Sequence, residues 1–230
     1  MAINIYNTQL TEDAIAQDQH RESVGGLWNE LGRLQFEFLR DVGGLRPEMY
    51  LLDLGCGCFR GGVHLIPYLC PGHYYGLDAN QSLLEAGLTI ELPKAGLSLS
   101  RDHVLVRDDF DARSFSVNFD RVLAVSVWTH LPLNHIQRSL DEVSRVLAPG
   151  GILYASFFLC PEDQDLLSPY GHPIGDIVSY RDRDPYHQRL DDFEFLIRQA
   201  GLPLRMEYLG DWGHPRNQFM LALHKAPRND

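Results

Sequence analysis

The chain has 230 residues, 44% hydrophobic and 22% charged, with a formal net charge of −11. That length suits one sizeable domain burying roughly 70% of the surface its unfolded chain exposes. The acidic balance, with no basic run or stripe, argues against a nucleic-acid partner, and no apolar run reaches the about 18 residues a membrane span needs.

The start, MAINIYNTQLTEDAIAQDQH, is polar and acidic and lacks the basic and apolar regions of a signal peptide. Residues 1–26 end at the Gly25-Gly26 break. Helical spacing then runs from Leu27 and Trp28 through Leu31, Leu34, Phe36, Phe38 and Leu39 to Gly43-Gly44, ahead of Pro47. Residues 1–46 read as an N-terminal helical cap and 47–230 as the main domain. Trp28, Gln35 and Phe38 could close over a ligand, although core packing accounts for Phe38 equally well.

Strand and helix patterns then alternate. Strands are expected at 50–54, 74–77, 103–107, 120–126 and 151–158, with helical stretches near 61–69, 81–91 and 133–147. Asn80 is placed to cap the second of these helices, and the third carries apolar residues at 136, 140, 143 and 147. Such alternation implies right-handed β-α-β units in a doubly wound, mostly parallel sheet.

The last third departs from this pattern. Residues 160–190, rich in Pro, His, Tyr, Asp and Arg, form a stretch too long for an ordinary connection and read as a lid insertion. A helix over 191–200 stops at Gly201, and strands 204–210 and 218–225 have room only for a turn between them, so they pair antiparallel. The expected sheet is α/β and seven-stranded, with an antiparallel final strand.

The chemistry concentrates in YLLDLGCGCFRGG (50–62) and HYYGLDAN (73–80). The first is an apolar run around Asp53 that breaks off at Gly55 and Gly57, as a buried strand entering a ligand-binding loop does. The second closes on Asp78, 21 positions after Gly57 and placed to reach ribose hydroxyls. A nicotinamide-dinucleotide site would need G-x-G-x-x-G; counted from Gly55, the third glycine position holds Arg60. A carboxylate at Asp53 suits a cationic ligand better than a pyrophosphate. Strand-end acids that merely cap neighbouring turns are the structural alternative.

Five segments in order resemble the class I S-adenosylmethionine-dependent methyltransferases over about residues 48–225: LLDLGCG, LDAN, VRDDF (106–110), FDRVLAVSVWTHL (119–131) and LAPGGILYASFF (147–158). The resemblance implies S-adenosylmethionine as cofactor. It places Gly55, Cys56 and Gly57 beside the methionine portion and ribose, Asp78 with Ala79 at the ribose hydroxyls, Asp108 or Asp109 at the adenine amino group with Phe110 on the ring, and Ser126 and Val127 near the sulfonium. Spacing to Phe119 favours Asp108. One departure stands out: the family's usual third glycine is Phe59, which implies a different turn there.

Methyl transfer from a sulfonium needs alignment and exclusion of water, and a hydroxyl acceptor gains from a general base. His130, after the fourth strand, and His187, at the end of the lid, are the candidate bases. Each has a structural alternative: His130 fixing the cofactor's methionine end, His187 tying the lid to the core. Arg60, Arg181 and Arg183 could bind an acidic acceptor or be solvated charges, and His214 and Arg216 lie in the last hairpin, read as structural. The loop after the fourth strand, SVWTHL, lacks the Asn/Asp-Pro-Pro-aromatic turn of amino methyltransferases acting on bases or amides. The expected acceptor is therefore a small hydroxylated metabolite or sugar, with a small amine and a non-catalytic cofactor-binding scaffold as alternatives.

The cysteines at 56, 58, 70 and 160 form neither a disulfide framework nor a zinc set, so no metal is expected and the setting is read as cytoplasmic.

Overall fold

The computed structural model describes residues 8–227. Residues 1–7, part of the expected cap, lie outside the described residues. Where only a polar run was expected, two short helices stand: α1 (Glu12–Ala16), capped by the Thr11 side chain, and α2 (Gln19–Ser23). The Gly25-Gly26 break follows, then α3 (Trp28–Asp41).

The alternating region holds β1 (Leu51–Leu54), α4 (Gly62–Tyr68), β2 (Tyr74–Asp78) and α5 (Gln81–Ala86). Asn80 caps α5 by accepting from the Leu83 amide. The helix expected to 91 does extend that far, but through a π turn at Gly87–Glu91 that leads into α6 (Leu92–Lys94). Next come β3 (Val104–Val106), β4 (Phe119–Ala124), α7 (Leu133–Val146) and β5 (Leu147–Leu159).

The 160–190 segment, expected as a lid, carries structure of its own. Strands β6 (Tyr170–Gly171) and β7 (Val178–Ser179) pair as a small ribbon, and β8 (His187–Gln188) adds in parallel to the far end of β5. Then α8 (Leu190–Gln199), β9 (Leu204–Asp211) and β10 (Phe219–Lys225) complete the chain.

The main sheet runs β3-β2-β1-β4-β5-β10-β9, parallel throughout except that β10 lies antiparallel to both of its neighbours. This is the expected seven-stranded arrangement. Side chains alternate across it, as the pleat requires. Leu52, Leu54, Val122, Ala124, Leu153, Leu221 and Leu223 pack into one core with Ile136, Leu140 and Val143 of α7 and Phe193 of α8. Leu51, Leu123, Tyr154, Met220 and Ala222 pack into a second with Phe38 and Leu39 of α3 and Leu65 of α4. Both faces are covered, which is why the strands read as near-continuous apolar runs.

Chain order reverses between β1 and β4, neighbours in the sheet. Loops leaving their carboxyl ends diverge to opposite faces and open a crevice.

Candidate active site

A cavity of about 710 Å³ opens at that crevice. Its walls come from the loops after β1, β2, β3 and β4, from the N-terminal segment at Ser23–Gly25, and from lid residues Ile177, Asp184 and Pro185.

The loop after β1 sets the floor. Gly55 and Gly57 have φ of +76° and +53°, and a Cβ at Gly55 would stand 2.4 Å from Val127 Cγ2. Only a bare backbone fits between the loops after β1 and β4. At Phe59 the expected departure resolves in an unexpected way. The residue takes φ +66°, the left-handed region glycine favours, while its ring is fully buried. Glycines make the room: a Cβ at Gly62 or Gly87 would stand 2.8 or 2.3 Å from Phe59 atoms, and one at Gly76 3.1 Å from its ring. The turn remains glycine-like, and a phenylalanine plugs the space that three glycines vacate.

Left-handed non-glycine residues recur along this edge: Phe110 after β3 (φ +65°) and Ser126 after β4 (φ +58°). Each conformation costs about 1–2 kcal/mol, and such strain gathers where a loop must present groups to a ligand. Ser126 is held by a buried network. Its amide donates to Ser156 Oγ (2.7 Å), Ser156 Oγ donates to Gln218 Oε1 (2.6 Å), and Gln218 Nε2 donates to Ser126 Oγ (2.9 Å).

The acids divide by environment. Asp53 lines the cavity yet is only 5% exposed, and it accepts from the Tyr74 hydroxyl at 2.7 Å. Burial pushes its carboxyl up to about 6; the Tyr74 bond and Arg60 oppose the rise, and the Asp78 carboxylate adds to it. Asp78 accepts from the Gly57 amide through Oδ2 and the Asn80 amide through Oδ1, both at 2.8 Å. Burial raises its pKa against these bonds. A carboxylate has about four lone-pair sites, so Asp78, which the Ala79 amide also approaches, keeps capacity for a further donor.

Of the adenine-side alternatives, Asp108 lines the cavity and Asp109 does not. Asp109 is turned away by a two-pronged ion pair with Arg107 (2.7 and 2.5 Å), whose guanidinium holds its carboxyl below the ordinary range. Cys56, Ala79, Phe110, Ser126 and Val127 also line the cavity, as do Gly55 and Gly57.

The two histidines separate. His130 lines the cavity, and its Nδ1 lies 2.5 Å from Asp184 Oδ1, which reaches in from the lid. His187 is fully buried and does not line the cavity. Its Nε2 donates to the Leu166 carbonyl (2.9 Å), so Nδ1 is the acceptor for Ser179 Oγ (3.0 Å). Ser179 Oγ in turn accepts from His172 Nε2 at 2.8 Å. This chain of three buried groups ties the 160–190 segment to its own strand β8, whose backbone pairs with the end of β5.

Other expectations sort by burial. Gln35 lines the cavity, whereas Trp28 and Phe38 do not; Phe38 packs edge-on against Tyr154 and Trp212. Arg181 is bound by the Asp192 carboxylate (2.6 and 2.7 Å), and Arg183 stacks over Tyr180. Arg60 and Arg216 line the cavity, Arg216 from the hairpin between β9 and β10. Among the cysteines, Cys58 is buried and its thiol is pushed up to about 12, mainly by burial, so no thiolate forms near neutral pH.

Of the cavity-lining residues, Asp184 and Gln218 went unread in the sequence, and Arg216 was weighed only as part of a structural hairpin. Each comes from a segment remote in sequence, and only antiparallel β10 or the lid's return to β5 brings them to the edge.

These groups fit S-adenosylmethionine. A buried carboxylate held unfavourably near pH 6 awaits a positive charge, Asp78 has a spare acceptor site, and Asp108 makes no protein hydrogen bond among the described residues.

Residues 52–153 match the family model described as a methyltransferase domain. Over 165 residues the chain is 27% identical to the sterol 24-C-methyltransferase of Schizosaccharomyces pombe, covering 71% of this chain and 42% of the relative. A sterol 24-C-methyltransferase of Gibberella zeae is 36% identical over 111 residues, 47% of this chain and 27% of the relative. The chain thus spans less than half the length of these curated relatives. Among solved structures, the S-adenosylmethionine-bound amino pentose methyltransferase CalS10 from Micromonospora echinaspora superposes with TM-score 0.61 at 18% identity, covering 95% of this chain and 99% of that one. Magnesium protoporphyrin IX methyltransferase from Synechocystis, also with the cofactor bound, gives TM-score 0.57 at 13% identity over 96% and 88%. The chain therefore matches a methyltransferase-domain model over residues 52–153 and shares the fold of these S-adenosylmethionine-bound methyltransferases.

Proposed function

We propose that the protein is an S-adenosylmethionine-dependent methyltransferase of a small molecule, transferring the methyl group to a hydroxyl oxygen. The observation that carries the oxygen reading is the His130–Asp184 pair in the cavity wall, 2.5 Å apart.

The cofactor, when bound, supplies a methyl group already activated on a sulfonium. The chain's task is then to hold, orient and dry the reactants. Asp78 would hold the ribose hydroxyls, Asp108 the adenine amino group with Phe110 against the ring, and Asp53 the positive methionine end. Gly55 and Gly57 allow close approach to the floor, and Val127 beside Gly55 narrows the space around the reacting centre. Asp184 accepts the His130 Nδ1 proton, which fixes the ring tautomer and makes Nε2 the basic nitrogen. As the acceptor's oxygen gains its methyl group, its proton passes to His130 Nε2, and Asp184 stabilises the imidazolium that results. The lid, locked by His172, Ser179 and His187, excludes water.

A cytoplasmic setting and a small-molecule partner belong to this reading. Among the described residues no helix is long and apolar enough to cross a membrane.

The test is single-turnover methyl transfer to a panel of hydroxylated acceptors. His130→Gln should lower the rate about 10²–10⁴-fold, the usual contribution of a positioned base, with S-adenosylhomocysteine affinity unchanged. Full rates in both His130→Gln and Asp184→Asn would remove base catalysis and favour an amine acceptor. No product from any acceptor, with the cofactor bound, would leave the scaffold reading.

A further inference from the structure

Two arginines in the cavity wall, Arg60 buried and Arg216 half-buried, lack a carboxylate ion-pair partner among the described residues. Arg60 is 6% exposed, and Arg216 reaches the same wall from the β9–β10 hairpin. Among the described residues neither forms an ion pair with a carboxylate, whereas the cavity's Arg107 is matched by Asp109. Their bonds go instead to three successive carbonyls of the N-terminal segment. Arg60 Nη1 donates to Val24 O (2.7 Å) and Gly26 O (3.0 Å), and Arg216 Nη2 donates to Gly25 O (2.6 Å). Carbonyls take up only part of each N–H fork and carry no full charge, and the buried Arg60 Nε has no partner among the described residues.

Of the neighbouring groups, Asp53 opposes the charge of Arg60. Arg60 is pushed down to about 10, first by burial and further by Arg216. His214 is buried, pushed down to about 3 by burial and then by both arginines, and is therefore neutral at physiological pH. A chain with net charge −11 thus keeps two positive charges side by side in one cavity wall.

The two guanidinium groups meet at Val24–Gly26 but arrive from different elements. Arg60 belongs to the glycine loop and acts on Asp53, at the cofactor's end. The Arg216 backbone lies beneath the lid, while its guanidinium lies against Gly25. A Cβ at Gly175 would stand 2.8 Å from Arg216 Cα, and the adjoining Asn217 amide reaches His172 Nδ1 at 3.4 Å. Lid residues Ile177, Asp184 and Pro185, which bound the space beside His130, share this wall with Arg216.

We propose that the acceptor is a hydroxy acid whose carboxylate is bound by Arg216 while its hydroxyl faces His130. The proposal rests on the methyltransferase reading above and narrows its substrate class. Arg216 is then a binding residue for the acceptor: its planar fork matches a carboxylate, and its Gly25 bond pre-orients it.

The test uses the protein saturated with S-adenosylhomocysteine and titrated with hydroxybenzoates and aliphatic hydroxy acids, each paired with its primary amide. At least one acid should bind ten-fold or more tightly than its amide. Arg216→Gln should erase that preference while changing S-adenosylhomocysteine affinity less than three-fold, and Arg216→Lys should retain part of it. Equal binding of acids and amides, or no binding of either, overturns the proposal. So does an Arg216→Gln variant whose loss falls on S-adenosylhomocysteine, since that would assign Arg216 to the cofactor. Failure of the unaltered protein to bind S-adenosylhomocysteine would instead strike the underlying methyltransferase reading.

Discussion

Asp53 gives the sharpest prediction, because its burial ties cofactor binding to pH. The carboxyl is only 5% exposed and is pushed up to about 6. If the ionised form holds the cationic methionine end, binding must track ionisation. About one molecule in eleven is ionised at pH 5 and about ten in eleven at pH 7, so S-adenosylmethionine affinity should rise about ten-fold over that interval and level off above it. Asp53→Asn should flatten the profile and weaken binding at pH 7.5 by roughly 1.5–3 kcal/mol, the worth of a charged hydrogen bond. The ligand-free protein should show the reverse. A carboxyl whose folded pKa exceeds its unfolded value contributes most stability below about pH 4 and loses it as pH rises through about 6. Asp53→Asn should therefore raise unliganded stability at pH 7 by roughly 2–3 kcal/mol. Isothermal titration from pH 5 to 8, with urea unfolding of both proteins, checks both halves. A flat profile for the unaltered protein, or the same slope in Asp53→Asn, refutes the argument.

Phe59→Ala should cost about 3–5 kcal/mol in urea unfolding, because the ring fills a space bounded by Gly62, Gly76 and Gly87 that cannot readily collapse. Asp78→Asn places a donor amide against the Gly57 or Asn80 N–H, so S-adenosylhomocysteine affinity should fall at least ten-fold by calorimetry, while far-UV circular dichroism stays unchanged. His187→Ala leaves the Ser179 hydroxyl and the Leu166 carbonyl without their partner and should lower stability by about 1–3 kcal/mol. Its single-turnover rate per folded molecule should hold, and a loss comparable to His130→Gln would return His187 to the chemistry.

Local patterns in the chain determined the sheet and the cofactor end of the site. Apolar runs broken by glycines mark β1 and β2 and put Gly55, Gly57 and Asp78 at one edge, because a strand's end and the turn after it are written in consecutive residues. The choice between Asp108 and Asp109 was only half legible: spacing favoured Asp108, and the Arg107 pair that withdraws Asp109 is a side-chain contact no spacing displays. Left-handed turns at Phe59, Phe110 and Ser126 were invisible, since only glycine advertises that conformation in sequence.

Tertiary structure alone decided the acceptor end. His130 and His187 look alike in the chain, yet one meets Asp184 at the cavity and the other is spent between Ser179 and a carbonyl. Asp184, Arg216 and Gln218 reach the site from 54 to 92 residues away from their partners His130, Ser126 or, for Arg216, from 191 residues away at Gly25. Contacts of that separation depend on how the lid and β10 close against β5, and no periodicity in the intervening residues encodes that closure.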